Sequence, residues 1–142
     1  MDNYNYTIIY PNDLLLEVPM SADFNLTDNK KRYSLLLSYS KTEGLYLKNI
    51  VVREHYRDRG FAKCIIYTLW RCAKCLRIDY IIVNIISPII ESIIKRYYVW
   101  EEISIDNHNG LCLKIKDILD GDYSESILPI FLDVYWNITN YK

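Results

Sequence analysis

Val52-Arg53-Glu54-His55-Tyr56-Arg57-Asp58-Arg59-Gly60-Phe61-Ala62-Lys63 is the stretch on which the reading of this chain turns. An extended apolar run, Leu45 to Val52, leads into it, and an apolar helix pattern, Phe61 to Arg77, leaves it. Strand, basic loop with glycine, then helix is an arrangement that can hold a phosphate group. The backbone N–H groups of a helix's first turn point at the anion, and the helix dipole adds to their attraction. Gly60 allows close backbone approach and an unusual φ. Arg57, Arg59 and Lys63 supply charge of the right sign. The competing reading takes Arg53, Arg57, Arg59 and Lys63 as a solvated charge cluster or a patch for an acidic partner. A glycine among them on a strand-to-helix turn favours the phosphate.

Working outward, Tyr33 to Tyr39 reads as a strand, Lys41-Thr42-Glu43-Gly44 as a turn, and Leu45 to Val52 as the returning strand of a hairpin. Strict alternation puts Leu45, Leu47, Asn49 and Val51 on one face and Tyr46, Lys48, Ile50 and Val52 on the other. Phe61 to Arg77 is apolar around most of its circumference, with a narrow polar stripe through Lys63, Tyr67, Arg71 and Lys74. Tyr80 to Ile86 follows as a nearly unbroken apolar run, the pattern of a strand buried on both faces in a parallel pair. Strand, helix and strand in this order make a βαβ unit. Ser87-Pro88 then opens a second helix as N-cap and first helical residue. Its apolar face carries Ile89, Ile90, Ile93, Ile94, Tyr97 and Tyr98, and Glu91 and Lys95 are spaced to pair.

A hairpin closes this core. Val99 to Ile105 alternates as a strand, residues 106–110 form a turn, and Leu111 to Ile118 returns. Before the core, Thr7 to Tyr10 reads as a first strand, and Asn12 to Asn29 as a loop with at most one helical turn. After it, a polar break precedes an apolar tail from Ile127 to Trp136. The whole is one domain, with its core at residues 33–118 and an apolar extension over 119–142.

Of the 142 residues, 51% are hydrophobic and 25% charged, enough for a packed core. A formal net charge of -1 leaves no basic excess for general binding to nucleic acid. No apolar run is long enough to span a membrane, and the first residues lack a signal-peptide pattern, so a cytoplasmic location is expected. Cys72-Ala73-Lys74-Cys75 is formally C-x-x-C, but no second pair of ligands completes a zinc site. The four cysteines are read as buried side chains, and no metal is expected.

Arg57-x-x-Gly60-x-Ala62, led in by Val52-x-x-x-Tyr56-Arg57, resembles the R/Q-x-x-G-x-G/A pyrophosphate loop of the GNAT N-acetyltransferase superfamily. The element order over residues 33–118 is similar to that family's core from its third strand onward. The resemblance implies an α/β fold of α+β type: a mixed sheet with a central βαβ unit and helices packed on it. It implies acetyl-CoA as acyl donor and an amine, on a small molecule or a protein, as acceptor. The backbone of Arg57, Asp58, Arg59, Gly60, Phe61 and Ala62 would hold the pyrophosphate. Ile50, Val51 and Val52 would line the pantetheine and acyl arm, and Asn84 and Ser87 would add polar contacts.

Acyl transfer to an amine also needs a base for the amine and an acid for the leaving thiolate. The family's tyrosine followed by Gly-Phe is not reproduced: Val99-Trp100 stands where Gly-Phe is expected, and Lys95 falls at the tyrosine's place. Tyr97 is the candidate acid, and a plain core aromatic is the other reading of it. Glu43, Lys48, Glu54 and His55 lie toward the expected cleft, and none is singled out as base. Only about twenty residues, Pro11 to Arg32, stand where the family places two helices and a strand, so the acceptor site is open, formed differently or absent. The alternative function is a GNAT-like domain without catalysis, acting as a binding or structural protein. Its apolar tail would then suit a homodimer.

Overall fold

The computed structural model describes residues 4–11, 14–28, 30–57, 60–85, 87–115 and 128–140. Within them the chain runs β1 (Tyr4–Ile9), β2 (Leu15–Met20), β3 (Phe24–Thr27), β4 (Tyr33–Ser40) and β5 (Gly44–Val52). A 3-10 turn at Glu54–Tyr56 leads to α1 (Phe61–Cys75), β6 (Tyr80–Asn84) and α2 (Pro88–Tyr97). Last come β7 (Trp100–Ile105), β8 (His108–Lys114) and α3 (Leu128–Thr139). The described strands form one sheet in the order β2-β1-β7-β8-β6-β5-β4-β3, with β5 and β6 as its parallel pair. The fold class is the one expected, a mixed sheet around a βαβ unit made of β5, α1 and β6.

Two cores sandwich this sheet. On one face Leu35, Leu37, Leu45, Leu47, Ile81 and Val83 pack under Ile65, Ile66 and Leu69 of α1, Ile90 and Ile94 of α2, and Val134 and Ile138 of α3. On the other face Ile8, Val18 and Met20 of the β1–β2 hairpin cover Tyr46, Ile82, Ile103 and Cys112. The apolar run of β6 is thereby explained: Ile81 and Val83 serve one core and Ile82 the other. Curling of the sheet brings its first hairpin across that second face. The Tyr6 ring meets the Tyr46 ring edge-on at 5.2 Å, and Lys48 Nζ donates to the Tyr6 hydroxyl and to Asp23 at 2.9 Å.

Several sequence expectations are corrected. The first strand starts at Tyr4 and ends at Ile9. The presumed loop at residues 12–29 contains β2 and β3. Leu16, Val18 and Met20 turn inward while Leu15 and Glu17 stay exposed, and β1 supplies the backbone partners through a full antiparallel register. Pro19 is tolerated because β2 is an edge strand. β8 starts earlier than expected, at His108, and residues 116–118 lie outside the described ones. The apolar tail is helical, α3, with Val134 and Ile138 buried against α1 and its Leu132, Tyr135 and Trp136 exposed.

The alternation expected along β5 also breaks. The register passes from Leu36–Asn49 to Leu37–Leu47, so Lys48 is an extra residue, a β-bulge. One inserted residue moves every later side chain to the opposite face. Leu45 and Leu47 therefore share the helix-side core with Ile50 and Val52, while Asn49 and Val51 are exposed.

Candidate functional site

The bulge marks where β5 leaves β6. The two strands pair only at Leu45–Ile81, Tyr46–Ile82 and Leu47–Val83. Just beyond, the Asn84 side-chain amide reaches Lys48 O at 3.5 Å, the outer limit of a hydrogen bond. From there β5 continues to Val52 beside β4 alone. Along the open edge, Ile50 N–H is held by Asn49 Oδ1 at 2.9 Å and Val52 O accepts from Arg57 Nε at 3.0 Å. Side chains, not a strand, satisfy these two groups.

A cavity of about 570 Å³ occupies the gap. Ile50, Val51 and Val52 form one wall, and Ile89, Ile90 and Ile93 of α2 form the other. Its mouth is made by Tyr56, Arg57 and the first turn of α1, Gly60 to Lys63. Gly60 is the N-cap of α1 with φ 79°, a left-handed conformation that glycine adopts without strain. A Cβ built on it meets nothing within 4 Å, so the backbone here faces open space. The first helical bond runs from Cys64 N–H to Gly60 O at 3.0 Å, which leaves the Phe61 and Ala62 N–H groups without an acceptor inside the helix.

The second helix opens on the same cavity. The Ser87 hydroxyl caps α2 by accepting from Ile89 N–H at 3.2 Å, Pro88 occupies the first turn, and Ser87 lines the cleft. Two helix N-termini, Arg57 and Lys63 thus surround a cavity with apolar walls. Phe61 is fixed from behind: its ring lies 5.4 Å from Tyr33, and the Arg32 guanidinium sits 5.2 Å over it. Arg32 is itself held by Asp28 at 2.6 Å, and this hydrogen bond draws the Asp28 carboxyl below its ordinary range. An anionic head with a long, partly apolar arm is the kind of ligand such a cleft suits.

Of the residues singled out in the sequence, Ile50, Val51, Val52, Arg57, Gly60, Phe61, Ala62 and Ser87 line this one cavity. Asp58 and Arg59 lie outside the described residues. Asn84 stands at the closed end of the gap and not in the cavity wall. Tyr97 is not in the lining. It lies half-buried at the far end of α2, with Lys63 Nζ 4.1 Å and Arg96 Cζ 5.4 Å from its ring. Ile89, expected on the packed face of α2, is 61% exposed because it stands at the cleft. Tyr56, Ile90 and Ile93 were not anticipated as lining. The spacing of the isoleucines after Pro88 was the available signal, but it reads equally as core.

The candidate bases are scattered. Glu43 sits in the β4–β5 turn, accepts from the Tyr10 hydroxyl at 3.0 Å, and lines a separate cavity of about 480 Å³ with Tyr80 and Glu101. Lys48 projects to the opposite face; burial opposes its charge, but the bonds it donates to Tyr6 and Asp23 outweigh that and raise its pKa. Glu54 and His55 are exposed on the 3-10 turn. A third cavity, about 440 Å³, is bounded by Asn84, Ile85, Asn107, His108 and Asn109. The cysteine reading holds for Cys72 and Cys112, buried thiols that burial pushes up to about 12. It fails for Cys75, which is exposed because it falls on the outer side of the last turn of α1.

No known family model matches the chain, and no curated protein matches it in sequence. Among solved structures, a protein of Agrobacterium tumefaciens assigned as an acetyltransferase is similar at 12% identity and TM-score 0.48, over 68% of this chain and 74% of the other. A nourseothricin acetyltransferase is similar at 11% identity and TM-score 0.38, over 79% and 85%.

Proposed function

We propose that the cleft between β5 and the N-termini of α1 and α2 binds acetyl-CoA, and that the protein transfers the acetyl group to an amine. One observation carries this reading: an electropositive mouth built from two helix starts and Arg57 opens onto an apolar channel along an unpaired strand edge. The diphosphate would rest on the Phe61 and Ala62 N–H groups, with Arg57 as counter-charge. The amides of the pantetheine arm would exchange with the Asn49 and Arg57 side chains at Ile50 N–H and Val52 O. The thioester would then stop near Asn84 and Lys48, where the strands close. All four cysteines are free thiols, which fits a reducing cytoplasm.

A thermal melt tests the reading. Acetyl-CoA at about a hundred times its dissociation constant should add roughly 2.7 kcal/mol, seen as a rise of several degrees, with ATP giving much less. Equal shifts for acetyl-CoA and ATP, or none, would remove it. A second reading, a domain that holds the cofactor without turning it over, is favoured by the position of Tyr97 and the four carboxylate, lysine and histidine candidates outside the cleft lining. Amine-dependent release of CoA thiol separates the two.

A further inference from the structure

The third cavity lies just across the closed end of the cleft. Ile85 borders it and Ser87 borders the cleft, and two residues of chain span at most about 7 Å. Asn84 stands between, one side chain serving the wall of the cavity and the link to Lys48 O. Resting on the acetyl-CoA reading above, we propose that this cavity is the acceptor site and that His108 takes the proton from the attacking amine.

The hairpin that carries His108 is held rigidly. Asp106 and Asn107 form a two-residue turn with φ 47° and 70°, and Ile105 pairs with His108. Asp106 is locked to β1 in both directions: its Oδ1 accepts from Thr7 N–H at 2.7 Å, and its N–H donates to Thr7 O at 2.8 Å. On the other side, Ile85 N–H donates to Asn109 O at 3.1 Å, and Asn84 pairs with Gly110. His108 is thereby fixed two residues along β8 from the residue opposite Asn84. His108 is exposed and lines the cavity, so its imidazole can meet a bound amine directly or through one water, as a general base does.

The transfer balances without another reagent. The amine nitrogen forms a bond to the thioester carbonyl carbon, the C–S bond breaks, the amine proton passes to the imidazole, and the CoA thiolate takes a proton from water. The lining also says what the acceptor is. Three asparagine side chains and one histidine offer donors and acceptors but no fixed charge, so the cavity selects an amine bearing hydroxyl or amide groups. Polycations and acidic amines lack a counter-charge there.

The chain has two histidines, His55 and His108, so imidazole NMR reads the site directly. On protein loaded with CoA, glucosamine should move the resonance that His108→Gln deletes and leave that of His55 in place; spermidine and glutamate should move neither. In turnover with acetyl-CoA and glucosamine, His108→Ala should lose about 10²-fold in kcat and recover with added imidazole, while its melt still shifts with acetyl-CoA. An unmoved His108 signal, a wild-type rate in His108→Ala, or a loss that imidazole does not repair would each overturn the assignment. Absence of the acetyl-CoA melt shift in the wild type would instead remove the reading on which it rests.

Discussion

Gly60 is where the sequence said most with one residue. A left-handed φ of 79° at a helix N-cap is met by glycine and by little else, while the open space above the backbone leaves room for a ligand. Gly60→Ala should cost about 1 kcal/mol from the conformation alone. Gly60→Glu should add a carboxylate at the mouth and abolish the acetyl-CoA melt shift while the chain stays folded; a retained shift would move the diphosphate elsewhere. Asp28 offers a second test at this scale. Arg32 holds its carboxyl below the usual value, so it contributes stability above the unfolded-state pKa of about 3.9 and loses that contribution as pH falls through the folded value. Urea midpoints measured downward from pH 5 should fall more steeply for the wild type than for Asp28→Asn. Parallel curves would mean that the ion pair behind Phe61 contributes nothing.

Among the elements, α2 was legible at its start and not at its end. Ser87-Pro88 is a start signal with a mechanism, and the hydroxyl caps Ile89 N–H as expected. Ser87→Ala should cost about 1 kcal/mol in urea denaturation, because the cap is lost and nothing replaces it. Tyr97 had no such local signal; whether a helical tyrosine faces a cleft or a neighbour depends on which residues the adjoining helix presents, here Lys63. β5 shows the limit most clearly. Its alternation reads without interruption, and the bulge at Lys48 arises only in pairing with β4. The turn before it is more constrained than its sequence suggests. A Cβ on Gly44 would lie 2.3 Å from Tyr80 O, and its φ is 96°. Gly44→Ala should therefore destabilise by about 2 kcal/mol or more in the same denaturation assay, since the Tyr80 backbone must move as well as the Ile78 side chain.

For the whole molecule, the open question is how firmly the β1–β2 hairpin is attached. Its strand pairing with the sheet is two residues long, Ile8–Ile105 and Ile9–Ser104, extended by the Asp106 N–H to Thr7 O bond, while most of β1 and all of β2 are held there by side chains that cover Cys112. Elements with few backbone links open locally before the molecule unfolds. Cys112 should accordingly react with a thiol reagent faster than Cys72, which lies in the helix-side core, and exposed Cys75 faster than either. Equal rates for Cys72 and Cys112 would make the two faces a single cooperative unit. The sequence by itself determined the βαβ unit, the glycine at the start of α1, the capped second helix and the presence of both core hairpins, though not the turn of the second, because each depends on neighbours a few residues away: periodicity, a turn residue, a cap. Tertiary structure alone decided where β1 and β2 lie, which face each late residue of β5 takes, and that His108 and Asn84 line one cavity. Those outcomes depend on pairings between residues tens of positions apart, such as Ile8 with Ile105, and no local pattern records which distant edge a strand will find.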